Sequence, residues 1–224
     1  MLWDNIDMLA SPQQTESLVE LFHRGRKLSF AKGEFVIRPG EAPPGVFYVE
    51  KGLIKAYDIT KYGEENLLII RREGEIIALT YAITGDNIQI IYSALAPTTL
   101  WYISRKVFVD HIKTRPEIAI PLLDMITDMY RLHSKRILNL EYRSVRERLI
   151  SFLLGTAERF GAVNLDGTVT ITAPLKQQDI ASSINATRET TSRQLAYLHR
   201  RKLISTKHSL ITILDSKKMQ AYLE

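Results

Sequence analysis

The segment from Pro174 to Ser205 decides the fold of the C-terminal third, and it reads PLKQQDIASSINATRETTSRQLAYLHRRKLIS. Ile180 and Ile184 recur at helical spacing in its first half. In its second half Leu195 and Leu198 supply the apolar face of another helix. The pattern therefore predicts two short helices that share one small core.

The residues between these helices contain the signals for a tight turn. Asn185 stands where the chain must reverse, and Asn tolerates the left-handed backbone conformation better than most residues. Thr187 follows as a predicted N-cap, because its hydroxyl can accept from an unpaired N–H of the second helix. Leu203 to Leu214 then alternates like a β-hairpin. We interpret this region as a winged helix-turn-helix, whose second helix enters the DNA major groove.

The outward side chains of the second helix are of the types that read DNA. Arg188 and Arg193 can each form a bidentate pair with guanine, and Glu189 can accept from cytosine. An exposed helix with merely solvated charges is the plainer alternative for these three residues. Phosphate contacts are predicted for short hydroxyl and basic residues, namely Thr187, Thr190, Ser192, Arg200 and Lys202.

Composition and charge restrict the class of protein. The 224-residue chain is 45% hydrophobic, enough for one sizeable core or two modest ones. Residues 143–224 contain 13 Lys and Arg against 7 Asp and Glu, a net charge of +6, and the remainder carries −1. A basic domain beside a neutral one is typical of binding to a polyanion. No apolar run is long enough to span a membrane, so we expect a cytoplasmic protein without membrane contact.

Catalytic and metal-binding motifs are missing from the sequence. There is no dinucleotide-binding or phosphate-binding glycine loop and no nucleophile elbow, and the five histidines lack metal-ligand spacing. With no cysteine, thiolate chemistry and cysteine-ligated clusters are excluded. We therefore expect neither an enzyme, nor a metal site, nor a bound cofactor.

Short β-rich runs follow Phe30, with Gly and Pro turn signals about every ten residues, as in antiparallel barrels and sandwiches. Ser11 and Pro12 mark the start of a helix before them. Together with the run R-E-T-x-x-R at residues 188–193, this layout resembles the catabolite activator/fumarate-nitrate regulator (CRP/FNR) family of bacterial transcription factors. The resemblance implies an α+β fold with an N-terminal antiparallel β-roll or jelly roll like a cyclic-nucleotide-binding domain, a long dimerisation helix and a C-terminal winged helix-turn-helix. It also implies base-reading roles for Arg188, Glu189 and Arg193.

Two positions of the helix-turn-helix depart from the family pattern. Asn185 stands where the family usually has Gly, and Thr191 where a small aliphatic residue is commoner.

The predicted nucleotide site differs more strongly from the family pattern. Ala78-Leu79-Thr80 replaces the run that holds the ribose, and Ile88-Gln89 replaces the Arg-Ser pair that binds the cyclic phosphate. Because a phosphate buried without a cation is costly, we expect no conventional binding of cyclic AMP.

Two alternatives remain for the effector domain, a filled core without ligand or a different small-molecule effector. The residues predicted to line the candidate pocket are Leu79, Ile88, Gln89, Ile90, Tyr92 and His133.

Apolar residues spaced alternately three and four positions apart form a seam along the predicted long helix. The seam consists of Leu123, Ile126, Tyr130, His133, Ile137 and Leu140. Such a repeat predicts that the helix pairs with the same helix of a second copy of the chain.

The predicted organisation is an effector domain over residues 1–115, a dimerisation helix over 116–142 and a DNA-binding domain over 143–224. The favoured function is that of a homodimeric regulator of transcription bound to an inverted repeat in double-stranded DNA. As family precedent implies, it would act through contact with, or exclusion of, RNA polymerase. The alternative is a small-molecule-sensing module whose winged helix docks protein rather than DNA.

Overall fold

The computed structural model describes residues 9–86 and 89–224. They form two compact units, one made of residues up to 56 together with 69–133, the other of 57–68 together with 134–224. The division therefore falls inside two strands and the long helix, rather than at a linker. Ile88, predicted to line the effector pocket, lies outside the described residues.

The first half of the chain is β-rich, as predicted. Its elements, in chain order, are α1 (Pro12–His23), β1 (Arg26–Phe30), β2 (Phe35–Ile37), β3 (Val46–Lys51), β4 (Ile54–Ile59), β5 (Glu65–Arg71), β6 (Ile76–Ile77), α2 (Leu79–Thr84), β7 (Ile91–Ala94), β8 (Thr98–Ile103) and α3 (Arg105–Thr114). Two four-stranded sheets result, with strand orders β1-β8-β3-β6 and β2-β7-β4-β5. This arrangement confirms the predicted antiparallel β-roll.

Successive side chains of β3 point to opposite faces of its sheet, so the core of this half has two layers. Phe47 and Val49 point into the roll, whereas Val46 and Tyr48 point to the opposite face of the sheet. On that face they pack with Phe22 of α1. Helix α1 starts as predicted, because Ser11 caps it and Pro12 occupies its first position.

The second half is dominated by helices. It comprises α4 (Ala119–Tyr142), α5 (Val145–Phe160), β9 (Gly161–Val163), β10 (Val169–Ile171), α6 (Gln177–Ser183), α7 (Arg188–Arg200), β11 (Ile204–Lys207), β12 (Leu210–Ile213) and α8 (Ser216–Gln220). A single 3₁₀ turn, Pro116–Ile118, precedes α4. The third sheet has the order β11-β12-β10-β9, and β11 and β12 form the predicted hairpin of the wing.

The sequence predicts an apolar stripe on helix α5 that consists of Val145, Leu149, Phe152, Leu153 and Ala157. The buried face is rotated from that stripe, because Leu149, Ile150 and Leu153 are fully buried whereas Phe152 is half-buried. The helix packs against several elements, including α6, α7, α8 and β10, so its buried face is broader than a single stripe. None of the helices in the described ranges combines the length and apolar character that crossing a membrane requires.

Candidate nucleic-acid interface

The helix-turn-helix is built by α6 and α7, which pack through the predicted apolar residues. Ile180, Ala181 and Ile184 are at most 2% exposed, and Leu198 is fully buried. Leu195 is half-buried. The shared core therefore fixes α7 against α6 and leaves the opposite face of α7 open to solvent.

Asn185 occupies the turn with a φ angle of +49°, in the left-handed region that was predicted for it. The turn closes through the Ala186 N–H, which donates to the Ala181 carbonyl over 3.0 Å. Arg148 of α5 donates to the carbonyl of Asn185 over 3.3 Å. Asn thus takes the conformation that glycine would adopt more easily, and a neighbouring arginine holds its carbonyl.

Thr187 is the N-cap of α7, as the sequence predicts. Its Oγ1 accepts from the Thr190 N–H over 3.1 Å. Arg193 donates through Nη2 to the Thr190 hydroxyl, also over 3.1 Å. The cap and the arginine therefore meet at Thr190, which orients Arg193 on the exposed side of the helix.

The three predicted base-reading side chains, Arg188, Glu189 and Arg193, are exposed together on the N-terminal half of α7. The pKa of Glu189 lies below its usual value because its own backbone N–H and the Thr187 hydroxyl hydrogen-bond to it, with help from Arg188 and Arg193. An ionised carboxylate only accepts hydrogen bonds. The arrangement thus offers two cationic donors beside one anionic acceptor.

The predicted phosphate contacts surround these residues. Thr187 and Ser192 are exposed, and Thr190 is half-buried. Arg200 and Lys202 are exposed at the C-terminal end of α7, where Lys202 has a φ angle of +55°. Hydroxyl groups therefore flank the start of the helix and cations flank its end.

A neighbouring cluster was missed by the sequence analysis. The guanidinium of Arg146, in the first turn of α5, lies 3.7 Å from the centre of the Tyr197 ring. Its Nε donates to Oε1 of Gln194 over 2.9 Å. Only the folding of α5 onto α7 brings these residues together. The one sequence signal for them was the basic run around Arg146 and Arg148.

The predicted effector-pocket residues do not share one environment. Leu79 is buried in the layer between the sheet and helices α1 and α3, whereas Tyr92 is buried inside the roll with Ile90 packed at its edge. Gln89 is exposed and His133 is half-buried. Leu79 turns away from the roll because it begins helix α2, after Ala78 has adopted a φ angle of +63°. Burial raises the pKa of the Tyr92 hydroxyl, which stays protonated at neutral pH.

The predicted seam on α4 is apolar and open in the single chain. Four of its side chains are between 40% and 73% exposed, namely Leu123, Ile126, Tyr130 and Ile137. His133 and Leu140 are half-buried. Large apolar side chains repeated along one stripe of a helix are typical of a surface that a second helix covers.

Family models match most of the chain in two parts. A cyclic nucleotide-binding domain model matches residues 27–115, and a Crp-like helix-turn-helix domain model matches residues 147–222. Among curated proteins, the chain is 30% identical to the global nitrogen regulator of Synechococcus elongatus over 188 residues, which cover 83% of this chain and 84% of that protein.

Solved structures share the fold. FixK2 from Bradyrhizobium japonicum superposes with a TM-score of 0.76 at 20% identity, covering 88% of this chain and 96% of that one. A CooA mutant from Carboxydothermus hydrogenoformans gives the same TM-score and identity, covering 98% and 97%. These matches extend over the effector half, the long helix and the DNA-binding half alike.

Proposed function

This chain belongs to the CRP/FNR family of DNA-binding transcription regulators, and we propose that it binds an inverted repeat in double-stranded DNA as a homodimer. The observation that carries the proposal is the open face of α7. There Arg188, Glu189 and Arg193 stand exposed directly after the Thr187 cap. Bidentate arginine–guanine pairs and a carboxylate–cytosine contact match these side chains.

The apolar seam of α4 supports the homodimer. Two chains paired along this seam would present two copies of α7, whose half-sites would lie about 34 Å apart on one side of the duplex. A two-fold symmetric protein reads a two-fold symmetric site, so the operator would be a palindrome. The protein would act in the cytoplasm as a regulator rather than as an enzyme.

Control by cyclic AMP is not part of this proposal. Gln89, at the position of the phosphate-binding pair, is uncharged and exposed, and Leu79 is occupied in core packing. A buried cyclic phosphate would lack its usual cation there. We propose that the effector domain either takes a different small molecule or has a filled, ligand-free core.

RNA polymerase is the proposed protein partner. Two apolar side chains are exposed where β9 ends and the following turn begins, with Val163 of β9 77% exposed and Leu165 of the turn fully exposed. Exposed apolar side chains on a loop offer a surface to another protein. They lie in the same compact unit as α7, so a partner bound there would be recruited by the unit that reads DNA.

Selection of bound duplexes from a random DNA library tests the proposal. Wild-type protein should enrich a palindrome without added ligand. Arg193→Ala should cost about 1–3 kcal/mol and relax specificity at one base pair per half-site. The matched control is Lys217→Ala, which removes one exposed cation from α8, outside the reading helix. An Arg193→Ala protein with unchanged discrimination would contradict the base-reading role.

A further inference from the structure

A second positively charged surface adjoins the reading helix. It consists of Arg146 of α5, Tyr197 of α7 and Arg201, the residue at which α7 ends. The Arg146 guanidinium stacks on the Tyr197 ring at 3.7 Å, and the Arg201 guanidinium lies 5.5 Å from the centre of the same ring. One aromatic ring thus holds two cations close together.

Arg146 is held in place by more than the ring. Its Nε donates to Gln194 over 2.9 Å, which uses one of the five N–H donors of the guanidinium. Stacking and this hydrogen bond restrain the plane of the group, whereas no hydrogen bond of its terminal nitrogens occurs among the described residues. An arginine fixed in this way presents a fork of donors suited to an oxyanion.

The surface borders an open cavity of about 470 Å³, lined by Ser144, Val145, Arg146, Glu147, Gln194 and Tyr222. Glu147 is the one carboxylate in this lining. Its side chain accepts from both the backbone N–H and the hydroxyl of Ser144, so it is engaged in capping α5. The Tyr222 hydroxyl hydrogen-bonds to Tyr197 and lowers the pKa of that phenol. The cavity is therefore polar, with the oxygens of Glu147 turned to Ser144 and the guanidinium of Arg146 at its edge.

The surface lies next to the predicted reading face of α7, and this position suggests which ligand it takes. Gln194, which holds Arg146, directly follows the predicted base reader Arg193 on α7. A duplex read by Arg193 would bring its sugar-phosphate backbone alongside this surface. The chemistry of the surface matches a single phosphodiester, which offers two anionic oxygens to a guanidinium fork.

We propose that Arg146, held by Tyr197 and Gln194, binds one DNA phosphate in each half-site. This inference rests on the proposed DNA-binding function and adds a contact from α5, outside the helix-turn-helix. The contact carries no sequence information of its own, because phosphates are the same at every base pair. It sets the register of α7 on the duplex.

The test measures affinity for the selected duplex by fluorescence anisotropy across 50–300 mM KCl. Arg146→Ala should weaken binding about 3- to 10-fold at physiological salt, equally for cognate and shuffled duplexes, since phosphate contacts do not distinguish bases. The slope of log K against log salt should fall by about 2 for the dimer, because each phosphate contributes about 0.9. Arg146→Lys should retain the slope and lose only part of the affinity.

Arg159→Ala is the control, because it removes the same charge from the last turn of the same helix. It should leave the slope unchanged. Ethylation of the phosphate that Arg146 contacts should weaken wild-type binding to the level of Arg146→Ala, and it should leave Arg146→Ala binding unaffected.

If Arg146→Ala keeps the wild-type slope of log K against log salt, the inference is wrong. This holds even if the affinity falls, because impaired folding lowers affinity without removing a phosphate contact. If that slope is unchanged while Arg193→Ala relaxes specificity, the proposed function stands and only this inference fails. A wild-type protein without salt-dependent affinity for any duplex overturns both.

Discussion

The guanidinium of Arg136 on α4 donates to the backbone carbonyl of Leu67 on β5 over 2.9 Å. It also donates to the Asn66 side chain over 3.2 Å and approaches the Leu68 carbonyl at 3.4 Å. The Leu67 N–H in turn donates to the Ser182 hydroxyl of α6 over 3.2 Å. Asn66 and Leu67 are thereby attached to α4 and α6, from which dozens of residues separate them in the sequence.

Replacing Arg136 should destabilise this unit. Arg136→Met keeps much of the apolar stem but leaves partly buried acceptors unpaired, which should lower the free energy of unfolding by about 1–3 kcal/mol. Urea unfolding monitored by circular dichroism measures the change. Lys135→Met, at an exposed position beside it, should have little effect. Equal stability of the two variants would show that the Leu67 contact contributes nothing.

Removing the hydroxyl of Thr191 should stabilise the protein. Thr191 is completely buried on the inner face of α7, and its Oγ1 has no hydrogen-bond partner among residues 9–86 and 89–224. An unpaired buried hydroxyl costs about 1–3 kcal/mol, so Thr191→Val should raise the free energy of unfolding by about 1 kcal/mol. Thermal unfolding reports the gain, and DNA affinity should not change. Thr190→Val is the contrasting variant, because it loses the Arg193 hydrogen bond. A less stable Thr191→Val protein would contradict this reading of the core.

A charge in the α4 seam should abolish dimerisation. Ile137 is 56% exposed in the single chain, and Ile137→Lys would bury two like charges close together in a symmetric helix pair. Sedimentation velocity should show a dimer for wild type and a monomer for the variant. Lys135→Glu alters charge beside the seam and should remain dimeric. An Ile137→Lys dimer would place the interface elsewhere.

Acidification should weaken the β-roll unit through His111. Burial, followed by the nearby Arg115 and Arg24, holds the pKa of His111 below its usual value. As pH falls through the unfolded value of about 6.5, the unfolded chain takes up the proton first, and stability is lost. His111→Gln should therefore lose less stability than wild type between pH 7.5 and 5.5, by urea unfolding. Identical losses in both proteins would remove His111 from the pH response.

Much of the architecture could be predicted from short sequence patterns. The cap at Ser11, the left-handed Asn185 and the cap at Thr187 each involve residues within a few positions of one another, and the structure confirms all three. Turn residues every ten positions likewise identified the β-roll. The DNA-reading roles of Arg188, Glu189 and Arg193 stay predictions, although the structure brings these side chains together on one exposed face.

The predicted effector pocket shows what local sequence patterns do not determine. Leu79 and Tyr92 were grouped by position in a family pattern, yet they pack in different layers because Leu79 begins a helix. Periodicity gives the face of a residue within its element. It does not give the rotation of that element in the fold.

The sequence by itself determined the order of domains, the helix-turn-helix, the wing and the apolar seam, because capping, turn formation and amphipathic periodicity act over a few residues. Tertiary structure alone decided that Arg136 contacts Leu67 and that Arg146 stacks on Tyr197. These pairs are separated by dozens of residues, and side chains of many identities could fill either position. Their meeting depends on how whole elements pack, which no local pattern specifies.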